Sequence, residues 1–420
     1  MTSYFLRIRL NFLVLCYLLL VSSGCAGGIS LLEYQPDSGG PPAQVENSIH
    51  ASAVSQVPEG LPVTVASSIV APVEKSLAPP RHPRASRYNT PPDSSYRNRI
   101  LTEDTTWRGQ VLIEGSLTVA PTVTLVITPG TVVRFRPTAD GDAGLLLIRG
   151  RIQATGVSDL PIIFMSDEIN PALDDWQGIM FLDSSKKNLL EWCRVEAATS
   201  GVAVEFSDVT LRQTFFTHCR TGMAFHASTA VINGGVATEC MTGLVIRDGD
   251  VELSGGTLSD NDRGIVMNGG SFFLVETEVS GSKVNALEVT GGRLRLAKNR
   301  IVRNNGGTIF SGCRGDLVGN RMEENWSFGL ELVNSPLKVS GNRIIGNSLG
   351  GVMVRVGGAT LWDNILERNG DRELVVSGSV DVAAPANWWG SADPVRIRGR
   401  IRETDSGRVF FTPYLESPPQ

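Results

Sequence analysis

Apolar and polar positions alternate in short runs along most of the chain, and these runs recur at a nearly constant interval. The residues that mark the start of successive runs are 21 or 22 positions apart, and most of them are glycines. The marks are Gly201, Gly222, Gly243, Gly264, Ala286, Gly307, Gly329, Gly351 and Glu373. A fixed period of this length is typical of a solenoid, in which each repeat stacks on the next.

Two inward positions follow each mark, one residue and three residues beyond it. Residues two apart in a strand point to the same face, so these positions predict one strand per repeat with a buried row. The first position holds Val202, Met223, Leu244, Ile265, Leu287, Thr308, Leu330, Val352 and Leu374. The second holds Val204, Phe225, Ile246, Met267, Val289, Phe310, Leu332, Val354 and Val376.

A second series with the same period consists entirely of asparagines. Its members are Asn299, Asn320, Asn342 and Asn364, each followed five residues later by Asn304, Asn325, Asn347 and Asn369. Asparagine tolerates turn conformations and hydrogen-bonds to the backbone or to a stacked asparagine. The series predicts two asparagine ladders at bends between strands.

A repeat of 21 to 22 residues holds several short strands but not a strand and a long helix. Leucine-rich repeats have a similar length, but their leucine-and-asparagine consensus is absent here. The sequence therefore predicts an all-β fold, a right-handed single-stranded parallel β-helix. The repeat Gly-apolar-x-apolar, followed by Asn-x-apolar-x-x-Asn, resembles that of the pectin-lyase-like superfamily over residues 101–420. Asn387-Trp388-Trp389-Gly390 resembles the closing segment of such domains. A lid over the open hydrophobic end is the favoured interpretation of the tryptophan pair, and an aromatic sugar platform is the alternative.

Residues 25–100 differ in composition from the repeat region. They are rich in proline, serine and alanine, and such a segment cannot bury enough apolar surface to offset the entropy of ordering. We expect a disordered tether there. The net charge of −5 is mild and its signs are interspersed, so a nucleic-acid partner is not expected. The sequence also lacks a phosphate-cradling glycine loop, so a nucleotide ligand is not expected.

The first 24 residues have the layout of a signal peptide. Arg7 and Arg9 precede an apolar run that ends at Val21, and Ser-Ser-Gly leads to Cys25. The segment resembles a bacterial lipoprotein signal, which implies that Cys25 carries a lipid and becomes the mature N-terminus. An ordinary secretory signal and an uncleaved anchor are the alternatives. By the same resemblance, Ala26 favours the outer membrane, with the lipid as the contact to the bilayer.

Stacking turns the sequence period into spatial contact, because residues one repeat apart lie about 4.8 Å from each other. By this rule His218, Glu239 and Asp260 form one column and are candidate metal ligands. Beside them, Cys219 and Cys240 are candidates for a disulfide. Bend positions favour short polar side chains in any case, so a row of solvated turn residues is the interpretation that we favour.

Two further columns carry chemistry. Glu205, His226 and Arg247 combine an acid, an imidazole and a guanidinium, and are candidate catalytic residues for acid–base work on a sugar. Arg300, Arg321 and Arg343 form a candidate ligand-binding row for an acidic glycan. For both columns, ordinary surface charge along a solenoid is the favoured interpretation.

Two function classes remain open at this stage, because fold alone does not specify function. The favoured one is a non-catalytic envelope lipoprotein whose rigid β-helix binds polysaccharide or another cell-surface component. The alternative is a lyase, hydrolase or epimerase that acts on an acidic glycan. For a lyase, the resemblance to pectin-lyase-like proteins implies calcium as the cofactor. An enzyme should show a groove with convergent carboxylates and a base, whereas a scaffold should show a shallow surface of mixed charge.

Overall fold

The computed structural model describes residues 86 and 88–419, which form a parallel β-helix. The expected signal peptide, Cys25 and most of the expected tether lie outside the described residues. Each central coil contributes three strands that pair in parallel with those of the coils before and after it. The predicted fold class is confirmed. Among the described residues, no helix has the length and apolar character needed to cross a bilayer.

One side of the rod, the back face, is a sheet of 14 strands, one from each coil. Its members are β2 (Thr105–Trp107), β4 (Thr124–Ile127), β7 (Arg151–Thr155), β10 (Asn188–Glu191), β13 (Asp208–Arg212), β16 (Thr229–Asn233), β19 (Asp250–Ser254), β22 (Ser271–Val275), β25 (Arg293–Ala297), β28 (Arg314–Val318), β31 (Leu337–Ser340), β34 (Thr360–Trp362), β37 (Val382–Ala383) and β39 (Val409–Phe410).

The other strands form one sheet of 25 that bends into two faces, and β1 (Ser94–Leu101) and β3 (Gln110–Val119) run across both. The short-strand face contains β5 (Val132–Arg136), β8 (Ile162–Ser166), β11 (Cys193–Glu196), β14 (Phe215–Thr217), β17 (Val236–Thr238), β20 (Thr257–Ser259), β23 (Glu278–Ser280), β26 (Arg300–Val302), β29 (Arg321–Glu323), β32 (Arg343–Ile345) and β35 (Ile365–Glu367). The long-strand face contains β6 (Gly144–Ile148), β9 (Trp176–Leu182), β12 (Ala198–Glu205), β15 (Thr221–His226), β18 (Thr242–Arg247), β21 (Arg263–Asn268), β24 (Leu287–Thr290), β27 (Thr308–Ser311), β30 (Phe328–Val333), β33 (Gly350–Arg355), β36 (Arg372–Ser377) and β38 (Ile401–Glu403).

The predicted inward rows lie on the long-strand face and fill the interior of the rod. Val202 pairs with Met223 and Met223 with Leu244, so residues of the same phase stack directly. The second row stacks in the same way, from Val204 to Phe225. All are buried, and about 25 cal/mol per Å² of apolar surface makes this continuous core the main stabilising term.

The glycine marks form a column because the chain of the next coil passes too close for a side chain. A Cβ built on Gly222 would lie 2.7 Å from the carbonyl oxygen of Gly243, and one on Gly243 would lie 2.8 Å from that of Gly264. Both distances are shorter than real Cβ contacts. Close stacking of coils, rather than a turn conformation, therefore requires glycine at these positions.

Both predicted asparagine ladders are present at corners of the rod. In each, the backbone N–H and Nδ2 of one asparagine donate to Oδ1 of the next, at 2.8 to 3.1 Å. The first ladder continues to Asn387, and the second ends where Asn369 donates to the buried carboxylate of Glu373 at 2.6 Å. The asparagines are fully or almost fully buried, so each coil that the ladders cross receives polar partners at its bends.

The four cysteines of the described region are free and buried, and they occupy corner positions. The Sγ atoms of Cys219 and Cys240 each lie 3.4 Å from a carbonyl oxygen two residues earlier, an interaction that Asn304 makes with its amide. The disulfide considered for Cys219 and Cys240 is not formed in this structure. Each thiol is directed to a backbone carbonyl and replaces an asparagine or serine of the column.

The β-helix begins earlier than expected, because β1 pairs with β3 from Ser94 onward. Ser86 donates to Asp167 at 3.1 Å, and the Tyr88 ring lies 4.5 Å from the Arg134 guanidinium. The expected boundary at residue 101 is therefore too late. Strand β1 is mostly exposed and lacks a regular apolar alternation, which is why the sequence pattern did not reveal it.

The C-terminal end of the rod is closed by a short helix, α1 (Pro394–Gly399), and by the last strands. Ile397 of the helix is fully buried, and Trp389 packs edge-on against Phe411 with ring centroids 6.5 Å apart. Arg398 donates two hydrogen bonds to Glu403 and holds the pKa of that carboxyl at about 2. Trp389 is thus part of the closing layer, as the resemblance implied.

Candidate functional site

A shallow groove on the long-strand face contains the predicted acid–imidazole–guanidinium column. The groove has a volume of about 210 Å³ and is formed by β12, β15 and β18. Its lining residues are Ser200, Ala203, Val204, Glu205, Thr221, Ala224, Phe225, His226, Val245 and Arg247. Three of the candidate residues from the sequence, Glu205, His226 and Arg247, line this groove.

The charged side of the groove is built by strand register. Glu205 pairs with His226, and His226 pairs with Arg247, so the three residues occupy the same position in successive coils. Neighbouring parallel strands lie about 4.8 Å apart, which spaces the three side chains evenly along the rod. His226 and Arg247 are exposed, and Glu205 is partly exposed. The structure therefore brings the predicted column together in an accessible row.

The floor and the opposite side of the groove come from the same strands. Two positions before the charged row, the outward residues Ala203, Ala224 and Val245 are small, which leaves the depression between the flanking rows. Across the floor, Ser200, Thr221 and Thr242 form a hydroxyl row in register, of which the first two line the groove. Hydroxyls on one side, charges on the other and an apolar floor are the groups that contact a sugar ring.

An exposed aromatic residue lies at one end of the charged row. Phe206 follows Glu205 at the corner of the coil, with a positive φ of 49° and 58% of its surface exposed. Its ring centroid is 5.4 Å from that of the His226 imidazole, at an interplanar angle of 55°. The two rings give the rim of the groove an apolar surface.

The predicted metal column is a corner of the rod. His218, Glu239 and Asp260 have φ values of 50°, 55° and 57°, and each donates its backbone N–H to the next coil. The imidazole Nε2 of His218 lies 2.8 Å from Glu239, and both side chains are more than half exposed. Within residues 86 and 88–419, no group of three or more His, Cys, Asp or Glu side chains converges as a metal site would require. The column is present, and its geometry is that of solvated turn residues.

The predicted basic row is also present, on the short-strand face. Arg300 pairs with Arg321 and Arg321 with Arg343 in register. Carboxylates interleave with this row. Arg300 lies 3.2 Å from Glu278, while Arg321 and Arg343 lie 3.0 and 3.4 Å from Glu323. The row is a network of surface ion pairs, and its guanidiniums are largely neutralised.

Sequence reasoning missed the hydroxyl row and the small-residue floor of the groove. Ser200, Thr221 and Thr242 carry the same period as the glycine marks, one residue before them, so the signal was present. It was not recognised because serine and threonine at a bend are common for structural reasons.

Comparisons with known proteins agree with the fold. Residues 242–387 match the family model of a right-handed β-helix region, and residues 99–208 match that of a pectate-lyase-like β-helix domain. Solved structures similar to this chain include the periplasmic alginate epimerase AlgG, at 13% identity over 75% of this chain and 78% of that one, with a TM-score of 0.41. A double mutant of AlgG gives 13% identity, 74% and 78% coverage and a TM-score of 0.42.

None of the curated proteins compared with the sequence matches it. Similarity to the solved structures at this level of identity concerns the fold alone. The two family models together cover most of the region in which the strands stack. The chain therefore folds as a right-handed parallel β-helix, and its residues 99–208 are similar to a pectate-lyase-like β-helix domain.

Proposed function

We propose that this protein is a non-catalytic, lipid-anchored envelope protein whose β-helix binds an acidic polysaccharide along the long-strand face. The groove of about 210 Å³ between a hydroxyl row and the row Glu205–His226–Arg247 is the observation that carries the proposal. An extended glycan that lies along the rod would meet one hydroxyl and one member of the charged row in each of the three coils. One coil rises about 4.8 Å, close to the length of one pyranose unit in an extended chain.

The chemistry of the groove favours an acidic glycan over a neutral one. Arg247 at one end of the row presents a guanidinium, which binds carboxylates in a two-point geometry. His226 adds the N–H donor of its imidazole ring. Glu205 accepts hydrogen bonds from sugar hydroxyls, and Phe206 supplies an apolar surface at the rim.

An enzyme that acts on the same polymer is the second candidate, and the same row supports it. A lyase or epimerase needs a base near the acidic carbon of a uronate and a positive group to stabilise the charge that develops on its carboxylate. Glu205 or His226 could serve as the base, with Arg247 as the positive group. Two observations favour the binding role. The groove is shallow, and within the described residues no cluster of carboxylates converges that could hold calcium.

The position in the cell is part of the proposal. Lipid on Cys25 would hold the chain at the membrane, and the proline-rich segment from residue 26 would space the β-helix from the bilayer. The outer membrane is the proposed address, in keeping with Ala26 after the cysteine. The membrane partner is then contacted through the lipid and not through the rod.

A glycan array combined with a turnover assay separates the two roles. We expect the full chain to bind polyuronates and to produce no ultraviolet absorbance from a new uronate double bond and no change in uronate epimer ratio. Arg247→Gln should weaken binding, because it removes the partner of the uronate carboxylate, whereas Glu205→Gln keeps an acceptor oxygen and should bind at least as well. If wild type converts a polyuronate and Glu205→Gln or His226→Gln retains binding but loses turnover, the enzyme role replaces the binding role.

A further inference from the structure

A second and larger cavity lies at the C-terminal end of the rod, away from the groove. It has a volume of about 840 Å³ and opens to solvent between the last rungs of the β-helix, the segment after Trp388 and helix α1. Its lining residues are Glu367, Arg368, Glu373, Trp389, Gly390, Ser391, Arg396, Gly399 and Arg400. A cavity of this size is in the range of small-ligand sites.

One wall of this terminal pocket is fixed by buried ionic contacts. The Glu373 carboxylate is 2% exposed, accepts from Asn369 at 2.6 Å and from Nη2 of Arg400 at 2.8 Å. Arg400 also donates from Nη1 to the carbonyl oxygen of Asp371 at 3.0 Å. The Arg400 guanidinium is thereby held in one orientation at the pocket wall, and the negative charge of Glu373 is already neutralised.

Two other arginines at the pocket are weakly engaged. Arg368, 72% exposed, comes from the β-helix and lies 3.3 Å from Glu367, whose other oxygen accepts from Trp388 at 2.9 Å. Arg396, 80% exposed, comes from helix α1 and lies 3.6 Å from Asp393. Exposed pairs of this kind contribute little, so both guanidiniums can turn toward a ligand. Each of the three arginines has one carboxylate partner, and the two exposed guanidiniums are the ones free to reorient toward an anion.

An unpaired buried donor supplies an independent sign of a ligand. Trp389 is 2% exposed, and its Nε1–H has no hydrogen-bond partner within the described part of the chain. Buried donors without an acceptor are unfavourable and rare in native structures. A ligand oxygen that enters the pocket, with a small shift of the indole, would satisfy this donor.

We infer that the terminal pocket binds the carboxylate of a uronate sugar, with Arg368 and Arg396 as the charge partners and Trp389 as the neutral donor. The inference rests on the proposed function for its ligand class, because it adds a second subsite for the same acidic glycan. The volume exceeds that of a bare oxyanion and leaves room for the sugar ring that carries the carboxylate. Both sites are open to solvent, so each of them can be occupied by a separate stretch of glycan.

Isothermal titration of the full chain with a uronate disaccharide, the matching neutral disaccharide and inorganic phosphate tests the pocket. The double variant Arg368→Gln with Arg396→Gln removes its charges. Gly399→Leu narrows the pocket without removing any charge, since a Cβ on Gly399 meets nothing within 4 Å and its φ is not positive. Arg295→Gln, an exposed arginine of the back face, is the matched control.

Because the groove is proposed to bind the same class of sugar, the comparison is made in the Arg247→Gln background. There we expect the uronate disaccharide to bind the chain with an intact pocket and the Arg295→Gln control alike, with affinity reduced roughly tenfold or more in both pocket variants. The neutral disaccharide should not bind the pocket. Equal uronate affinity with and without Gly399→Leu would overturn the inference. If the pocket binds phosphate but not the uronate disaccharide, it is a site for an adventitious ion only, and the inference is also overturned. If the groove variant Arg247→Gln loses polymer binding while the pocket variants do not, the pocket inference fails and the proposed function stands. If the pocket variants lose polymer binding while Arg247→Gln does not, the pocket inference stands and the groove is not the glycan site.

Discussion

The backbone N–H of Cys240 donates to Oδ1 of Asn261 at 2.9 Å, so a cysteine and an asparagine are neighbours in one corner column. The column continues through Ser282, whose N–H donates in the same way to Asn304 at 2.9 Å. A thiol, an amide and a hydroxyl thus occupy equivalent positions in successive coils. What these positions share is a small buried side chain. Cys240 and Asn261 direct theirs to carbonyl oxygens, whereas Oγ of Ser282 has no hydrogen-bond partner within the described residues.

Removal of one ladder member should destabilise the rod. Asn320 accepts from Asn299 through Oδ1 and donates through Nδ2 to Leu296 at 3.0 Å and to Asn342 at 2.9 Å. Asn320→Ala leaves several buried groups without partners, and we expect a loss of about 3 kcal/mol in the free energy of unfolding. Urea denaturation measures it. The exposed Asn305→Ala should change stability by less than about 0.5 kcal/mol, and equal losses in both variants would refute the structural role of the ladder.

Cys313 should make stability depend on pH in the alkaline range. Burial raises the pKa of this thiol from about 9 to about 11. Because the folded pKa is the higher one, the stabilising contribution is complete below pH 9 and declines as the pH rises through 11. We expect Cys313→Ser to fold, since Ser335 occupies the next place in the column, and to show a smaller loss of stability between pH 9 and 11. A wild type and variant with parallel pH profiles would contradict this account.

The asparagine spacing, the inward rows and the glycine marks were sufficient to predict the stacking and its phase. These features repeat, and each repeat imposes the same physical requirement on its neighbours. Strand β1 was missed because it lies at the end of the rod, where Tyr96 and Arg97 have a coil on one side only and need no strict alternation. The repeat period therefore does not show at which residue the β-helix begins.

The candidate site was predicted in part. The row from Glu205 to Arg247 follows directly from the period, and the structure places it beside a groove. The terminal pocket could not be predicted, because Glu373 meets Arg400 only through the closing segment, which belongs to no repeat. The ion pair between Arg321 and Glu323 depends on how two side chains of one strand are oriented, and the repeat period does not predict that orientation.

Lipid attachment at Cys25 is a prediction that the sequence carries alone. We expect wild-type protein expressed in a Gram-negative host to partition into the detergent phase and to yield an N-terminal peptide with the mass of a lipidated cysteine. Cys25→Ala should partition into the aqueous phase. If the two proteins partition alike into the aqueous phase, the chain is not a lipoprotein.

The most direct test of the central claim is the affinity of the full chain for a polyuronate oligosaccharide when the groove is filled. Ala224 faces outward on the groove floor, and Ala224→Phe occupies the space of the sugar without changing any charge. Val231→Phe places the same side chain on the back face, where the native residue is already exposed. Isothermal titration should give equal affinity for wild type and Val231→Phe and at least roughly tenfold weaker binding for Ala224→Phe. Undiminished binding by Ala224→Phe would show that the long-strand groove is not the glycan site.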